Sequence, residues 1–161
     1  MPLFKIMQLL SRQIIRFFEK QGFVIISTIG ADGSINASAK GIVNIEAGGR
    51  IFLLDLYKGK TFRNLKKNSH VSITAVDEHA FEGYTLKGRA KIIEKNKFED
   101  HIIKAWEDKI VSRVTERVLK NVKGEKRPAG RHPEVRMPQP KYLIEVDVKE
   151  IVDLTPQALK E

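Results

Sequence analysis

Two short stretches of this 161-residue chain carry residue types that hold a phosphorylated ligand. The first is Asn36-Ala37-Ser38-Ala39-Lys40-Gly41, a run of small side chains that includes one lysine. Small side chains let a flat molecule approach the backbone closely. The second is Tyr57-Lys58-Gly59-Lys60-Thr61, followed by Phe62-Arg63-Asn64-Leu65. Ammonium groups, the Thr61 hydroxyl and N–H groups at a helix start all bind phosphate oxygens. Together the two stretches suit a planar ring lying along the first, with its phosphate tail at Lys60. The same residues also compose an ordinary solvated basic surface, so on chemistry alone both readings stand.

Other chemistries lack their residues. There is no cysteine, which removes disulfides, thiolate nucleophiles and cysteine metal sites. The four histidines, His70, His79, His101 and His132, include no H-x-x-x-H pair, so a helical zinc site is not expected. No G-x-S-x-G elbow marks a hydrolase, and no G-x-G-x-x-G marks a dinucleotide fold. His70 and His79 are candidate proton donors, although a lone histidine after a helix more often makes a surface or core contact.

The formal net charge is +9, and its distribution is uneven. Residues 57–69 hold five basic groups and no acid, and residues 123–141 hold six basic and two acidic groups. Residues 142–161 reverse the balance, with two basic and five acidic groups. A nucleic-acid-binding barrel would join Arg127, Arg131, Arg136 and Lys141 to the 57–69 patch. It would also need aromatic side chains among the basic ones for stacking, and 124–140 has none. No apolar run reaches the roughly 18–20 residues that cross a bilayer. The N-terminal stretch has Arg12, Arg16, Glu19 and Lys20 spread through it, without a signal-peptide cleavage pattern, so the chain reads as cytoplasmic.

The elements that must position these residues follow from periodicity. Phe4, Met7, Leu10, Ile14, Ile15 and Phe18 recur at helical spacing until Gly22, which predicts an N-terminal helix within 1–21. Strands are expected at 23–28, 34–43, 50–56, 71–76 and 81–93, the first two joined by an Ala31-Asp32-Gly33 turn. A short helix over 60–67 follows the third strand. Gly83 and Gly88 mark bends or bulges in the fifth. Phe98, Ile102, Ile103, Trp106, Ile110, Val114 and Val118 predict a helical insertion at 97–122, whole or broken near 109–112. The four prolines of 124–140 exclude a regular element there, and we read that loop as a gate over the ligand. Tyr142–Val148 alternates as a final strand, which 151–154 extends. The expected fold is one domain over 1–161: mainly β with accessory helices, an antiparallel six- to seven-stranded split β-barrel, closed to hide its edges.

At Gly22–Val76 the chain resembles the flavin-binding core of the pyridoxamine 5'-phosphate oxidase-like split-barrel proteins. The matching features are the D-G turn, the strand ending at Ser38-Ala39-Lys40-Gly41, the strand 50–56, the basic turn with Lys60, and Asn64-Leu65 leading through Lys67-Asn68 to the fourth strand. The resemblance implies a homodimer with flavin mononucleotide (FMN) at the subunit interface, and an FMN-dependent oxidoreductase acting on a small acceptor. A non-catalytic flavin-binding or storage protein would share the same residues. The implied cofactor-binding residues are Ser38, Ala39, Lys40, Lys58, Lys60 and Thr61, with Lys60 the phosphate-binding lysine and Lys40 the lysine that closes the second strand. Trp106 and Arg136 are candidate contributors from across the interface, although Trp106 equally suits a buried helix anchor. The authentic oxidases carry an arginine several residues before the Lys40 position, where this chain reads Ser34-Ile35-Asn36, and a serine-arginine pair where it reads Lys58-Gly59. These departures argue against pyridoxamine phosphate as the substrate.

Overall fold

The computed structural model describes residues 7–122 and 140–160, with the side chains of residue 117 and of 120–122 left aside. Six strands close into a barrel: β1 (Val24–Ile29), β2 (Ile35–Ile45), β3 (Arg50–Asp55), β4 (His70–Asp77), β5 (Glu82–Glu94) and β6 (Tyr142–Asp153). Around the barrel the order is β1-β2-β3-β6-β5-β4, and β4 pairs back onto β1. Every pairing is antiparallel. This is the expected split-barrel architecture, with six strands. The strand expected at 81–93 is β5, a single strand whose register with β6 shifts between Lys87 and Gly88.

Alternation places the core. Val24 and Ile26 of β1, Ile51 and Leu53 of β3, and Ile73 of β4 fill the interior, all at 0–1 % exposure. The first half of β6 is buried on both faces, because those faces meet different partners. Tyr142, Ile144, Val146 and Val148 join the barrel core, while Leu143 faces a second, outer cluster with Val43, Phe52 and Ile102. That cluster exists because helix α3 (Asp100–Val122) packs outside the barrel, burying Ile102 there. One fully buried isoleucine stabilises by about 1.5–3 kcal/mol. α3 is unbroken through 109–112. Its start is tied down by charge: Arg50 meets Glu46 at 2.9 Å, Glu99 at 3.1 Å and buried Glu145 at 3.2 Å. Lys91 completes the set at 2.7 Å from Glu145.

The N-terminal helix is shorter than the apolar spacing predicts. α1 spans Arg12–Lys20, and Ser11 caps it by accepting a hydrogen bond from the Ile14 N–H. Upstream, the backbone is spent on the barrel instead: the Gln8 N–H donates to the Val148 carbonyl and the Leu10 N–H to the Ala47 carbonyl. Leu10 is therefore buried without being helical. Phe4 lies outside the described residues, as does nearly all of the 124–140 loop. Phe17 and Phe18 of α1 stack edge-on with each other, and Phe17 packs edge-on against Tyr84. α2 (Lys60–Lys67), as expected from the sequence, packs on β1, β2 and β5.

Gly88 is required by close approach. A Cβ there would run into the Asp147 carbonyl across the β5–β6 bulge. Gly88→Ala is expected to lower stability by about 1–3 kcal/mol in urea denaturation. Gly22→Ala, where an added Cβ meets no atom within 4 Å, is expected to stay within about 0.5 kcal/mol of the wild type.

Candidate functional site

The small-residue stretch lies on β2, where pleating sends Ala37 and Ala39 outward and Ser38 and Lys40 inward. β3, the neighbour of β2, ends at Asp55, and α2 begins after four intervening residues. Asp55 is 2 % exposed, so its charge must be met inside the protein. The Lys40 ammonium donates to one carboxylate oxygen at 2.8 Å, and the Tyr142 hydroxyl donates to the other. Burial, then the neighbouring Asp55 charge, pushes the Tyr142 hydroxyl pKa far above its ordinary value, so it stays a donor. Phe62 of α2 packs edge-on against the Tyr142 ring at 4.9 Å, which locks the helix over this group.

Two polar pairs fasten α2 further. Ser38 Oγ lies 3.2 Å from Thr61 Oγ1, and the Asn64 amide donates to Thr28 Oγ1 at 3.0 Å. Thr61 is 3 % exposed, so its hydroxyl serves this junction and does not face outward. The helix start is different. Its N-cap is Gly59, with no side-chain cap, and no acid lies in the first turn. The first N–H groups of α2 therefore carry a positive end that no capping side chain or first-turn acid offsets, with Asp32 the acid that feels the Lys60 charge. Lys60 is exposed there. Lys58 is exposed too, with its ammonium 5.1 Å from the Phe62 ring centre.

Beside the small-residue stretch, a cleft of about 240 Å³ opens between β2–β3 and α3. Ala39, Gly41, Leu54 and Tyr57 line the barrel side, and Trp106, Lys109, Ile110 and Arg113 the helix side. A Cβ added to Gly41 would meet no atom within 4 Å, so the floor is open where a ring would rest. The Lys109 ammonium donates to the Ile42 carbonyl, at the point where the β2–β3 register shifts. Burial, and then repulsion from Arg113, lowers the Lys109 pKa to about 8, with Glu19 opposing the shift. Arg113 donates to the Gly22 carbonyl at 2.9 Å and lies over the Phe23 ring. Trp106 Nε1 is buried, with no acceptor among the described residues.

The six residues singled out from sequence thus divide into three groups. Ala39 and Lys40 line the cleft, Ser38 and Thr61 meet each other beneath α2, and Lys58 and Lys60 stand at the helix start. Trp106 joins the outer cluster, as a helix anchor would, and also lines the cleft of its own chain. Arg136 lies outside the described residues. His70 and His79 are exposed and do not line the cleft. Sequence reasoning missed Asp55, Tyr142, Lys109 and Arg113. The last two had a signal: with Trp106 they recur at i, i+3 and i+7, which is one face of a helix. Among the described residues, no three His, Cys, Asp or Glu side chains gather to hold a metal, and no helix is long and apolar enough to cross a membrane.

The sequence matches the family model described as pyridoxamine 5'-phosphate oxidase over residues 10–154. No curated protein matches it. Solved structures share the fold at low identity. HupZ of Group A Streptococcus is 18% identical with a TM-score of 0.64, over 91% of this chain and 95% of that one. A structure named F420 reductase is 14% identical with a TM-score of 0.55, over 89% and 98%. HutZ of Vibrio cholerae, named a heme storage protein, is 18% identical with a TM-score of 0.54, over 90% and 94%.

Two outcomes follow from this geometry. Asp55→Ala strands the Lys40 charge and the Tyr142 hydroxyl, and is expected to cost about 3–5 kcal/mol by chemical denaturation; a near-neutral result would show that the group is not held as described. Lys109 releases its proton near pH 8 in the folded chain but near 10.5 when unfolded. Between those values the unfolded state binds more protons, so stability gains a contribution that rises with pH. Lys109→Met is expected to remove that rise when the two stability–pH profiles are compared.

Proposed function

Because this chain belongs to the pyridoxamine 5'-phosphate oxidase family, we propose that it is an FMN-dependent oxidoreductase, a cytoplasmic homodimer that binds its flavin at the subunit interface. The observation that carries this reading is the adjacency of two unlike surfaces. An open, small-residue floor at Ala39 and Gly41 lies on β2, and the strand paired with it leads into an uncapped helix start bearing Lys58 and Lys60. A ring fits the first and a phosphate the second. The donor set fits the group, since lysine ammoniums and main-chain N–H groups are phosphate ligands.

Each residue has a definite part in this reading. Lys60 and Lys58 hold the phosphate together with the first N–H groups of α2. Ser38 and Thr61, whose hydroxyls meet, keep α2 in register with β2 beside the bound cofactor. Lys40, committed to Asp55, fixes the floor and lends positive charge beside it. Phe23, Ile25, Ile35 and Val76 are exposed apolar side chains on or beside β1, β2 and β4, which a second copy of the chain would cover. Bound flavin supplies the transfer of hydride or electrons to a small acceptor.

HupZ and HutZ share the fold, and the printed name of HutZ gives it heme. No described histidine lines the cleft of this chain, which favours flavin over an imidazole-ligated iron. A non-catalytic flavin-binding or storage protein would use the same residues and differ only in turnover.

The test is a visible absorption spectrum of the purified protein, before and after FMN is added and the excess removed. A retained flavin band near one FMN per subunit is expected. A colourless protein that fails to retain FMN would overturn the reading. Bleaching of bound flavin by a nicotinamide donor, and its recovery with an acceptor, separates an enzyme from a store. Lys60→Ala is expected to weaken FMN binding by roughly 1.5–3 kcal/mol, the worth of a charged hydrogen bond. Unchanged affinity would remove Lys60 from the site.

A further inference from the structure

The helix side of the cleft holds two cations with no work to do in the fold's own charge balance. Lys109 and Arg113 are one helical turn apart on α3 and both line the cleft. Each donates to a main-chain carbonyl, of Ile42 and of Gly22. Neither has a carboxylate within ion-pair distance among the described residues. The charged or titratable groups around Lys109 are Arg113 on α3, Glu19 on α1, and Lys40, Asp55 and Tyr57 lining the barrel side of the same cleft. Of the two acids, Asp55 is already engaged by Lys40 and Tyr142, and Glu19 acts only through its field. Two like charges side by side in an apolar cleft destabilise each other unless an anion arrives. Beside them are Leu54, Ile110 and the Trp106 indole, flat and greasy surfaces.

We propose that this cleft binds a small aromatic or conjugated acid whose oxyanion sits between Lys109 and Arg113 while its apolar body lies against Trp106 and Ile110. At about 240 Å³ the cleft is smaller than the ~300–1,000 Å³ of pockets for drug-sized molecules, so a single small ring system is the right scale. The acid and a flavin ring would compete for a cleft of this size, so the anion site does not depend on the flavin reading.

Trp106 is the sole tryptophan; it lines this cleft and also a smaller hollow with Phe98, Ile102 and Leu143, so variants at Lys109 and Arg113 are what assign an emission change to this cleft. The experiment titrates the full-length protein, free of FMN, with benzoate and with benzamide, which match in shape and differ in charge. Benzoate is expected to change Trp106 emission saturably and to bind about tenfold more tightly than benzamide. Arg113→Gln and Lys109→Gln are each expected to close most of that gap, and Arg113→Lys to keep it. Phenyl phosphate in the same titration decides whether the oxyanion is a carboxylate or a phosphate. Benzoate affinity is expected to fall as pH rises from about 7 to 9 while Lys109 loses its proton, and to stay level in Lys109→Arg. That profile uses a charge-preserving variant, so it stands even if Arg113→Gln fails to fold. Equal affinity for benzoate and benzamide, or a benzoate preference indifferent to both glutamine variants, would overturn the proposal. A protein that discriminates benzoate yet retains no FMN would overturn the flavin reading and leave the anion site standing.

Discussion

The buried carboxylate of Asp55 is the constraint around which the rest of this structure is arranged. A charge at 2 % exposure needs both its oxygens answered, and it draws the answers from distant parts of the chain. Lys40 comes from β2, and Tyr142 from the start of β6. Three strands are thereby held at one level of the barrel. The Tyr142 ring then gives α2 its seat through Phe62. The lysines at the start of α2, the floor of the cleft and the closure of β3 onto β6 all trace to this one group. Buried ion pairs are poor sources of net stability, but breaking one is costly. Asp55 therefore acts more as a pin that fixes register than as glue.

The site also divides its charge by function. Lys40 is positive but committed, Lys58 and Lys60 are positive and exposed, and Lys109 and Arg113 are positive and partly desolvated. The same side-chain type thus plays three roles, set by what surrounds it. The excess of basic residues in the composition is in part a sum over these separate positions.

Much of this was legible in the sequence for a physical reason. β1 and β3 are short apolar runs bounded by turn residues, and β4 alternates through Val71, Ile73 and Ala75. The lysine-rich turn before α2 was legible from composition, because phosphate chemistry has few donor types. The start of α1 was misread because Met7 and Leu10 fall at helical spacing by coincidence; Leu10 is buried through pairing with the barrel, which no local pattern reports. Asp55 and Tyr142 were invisible as a pair, being 87 residues apart and joined only by the β3–β6 register. Ser38 and Thr61 are singled out from sequence as cofactor-binding residues; that their hydroxyls also face each other depends on the α2 docking angle, which residue type does not report.

The strand order has a consequence for how the chain comes into being. β6 is the last of the six strands in sequence, yet it sits between β3 and β5. While a ribosome is still making the helix and loop that precede it, β1 to β5 can form only an open sheet, with β3 at one edge and β5 at the other. Both edges carry unpaired backbone groups until β6 arrives. Completion is then a single insertion that pairs both sides at once and delivers Tyr142 to Asp55. The nascent chain is thus exposed to wrong strand partners for most of its synthesis, and is released from that hazard only once β6 has been made.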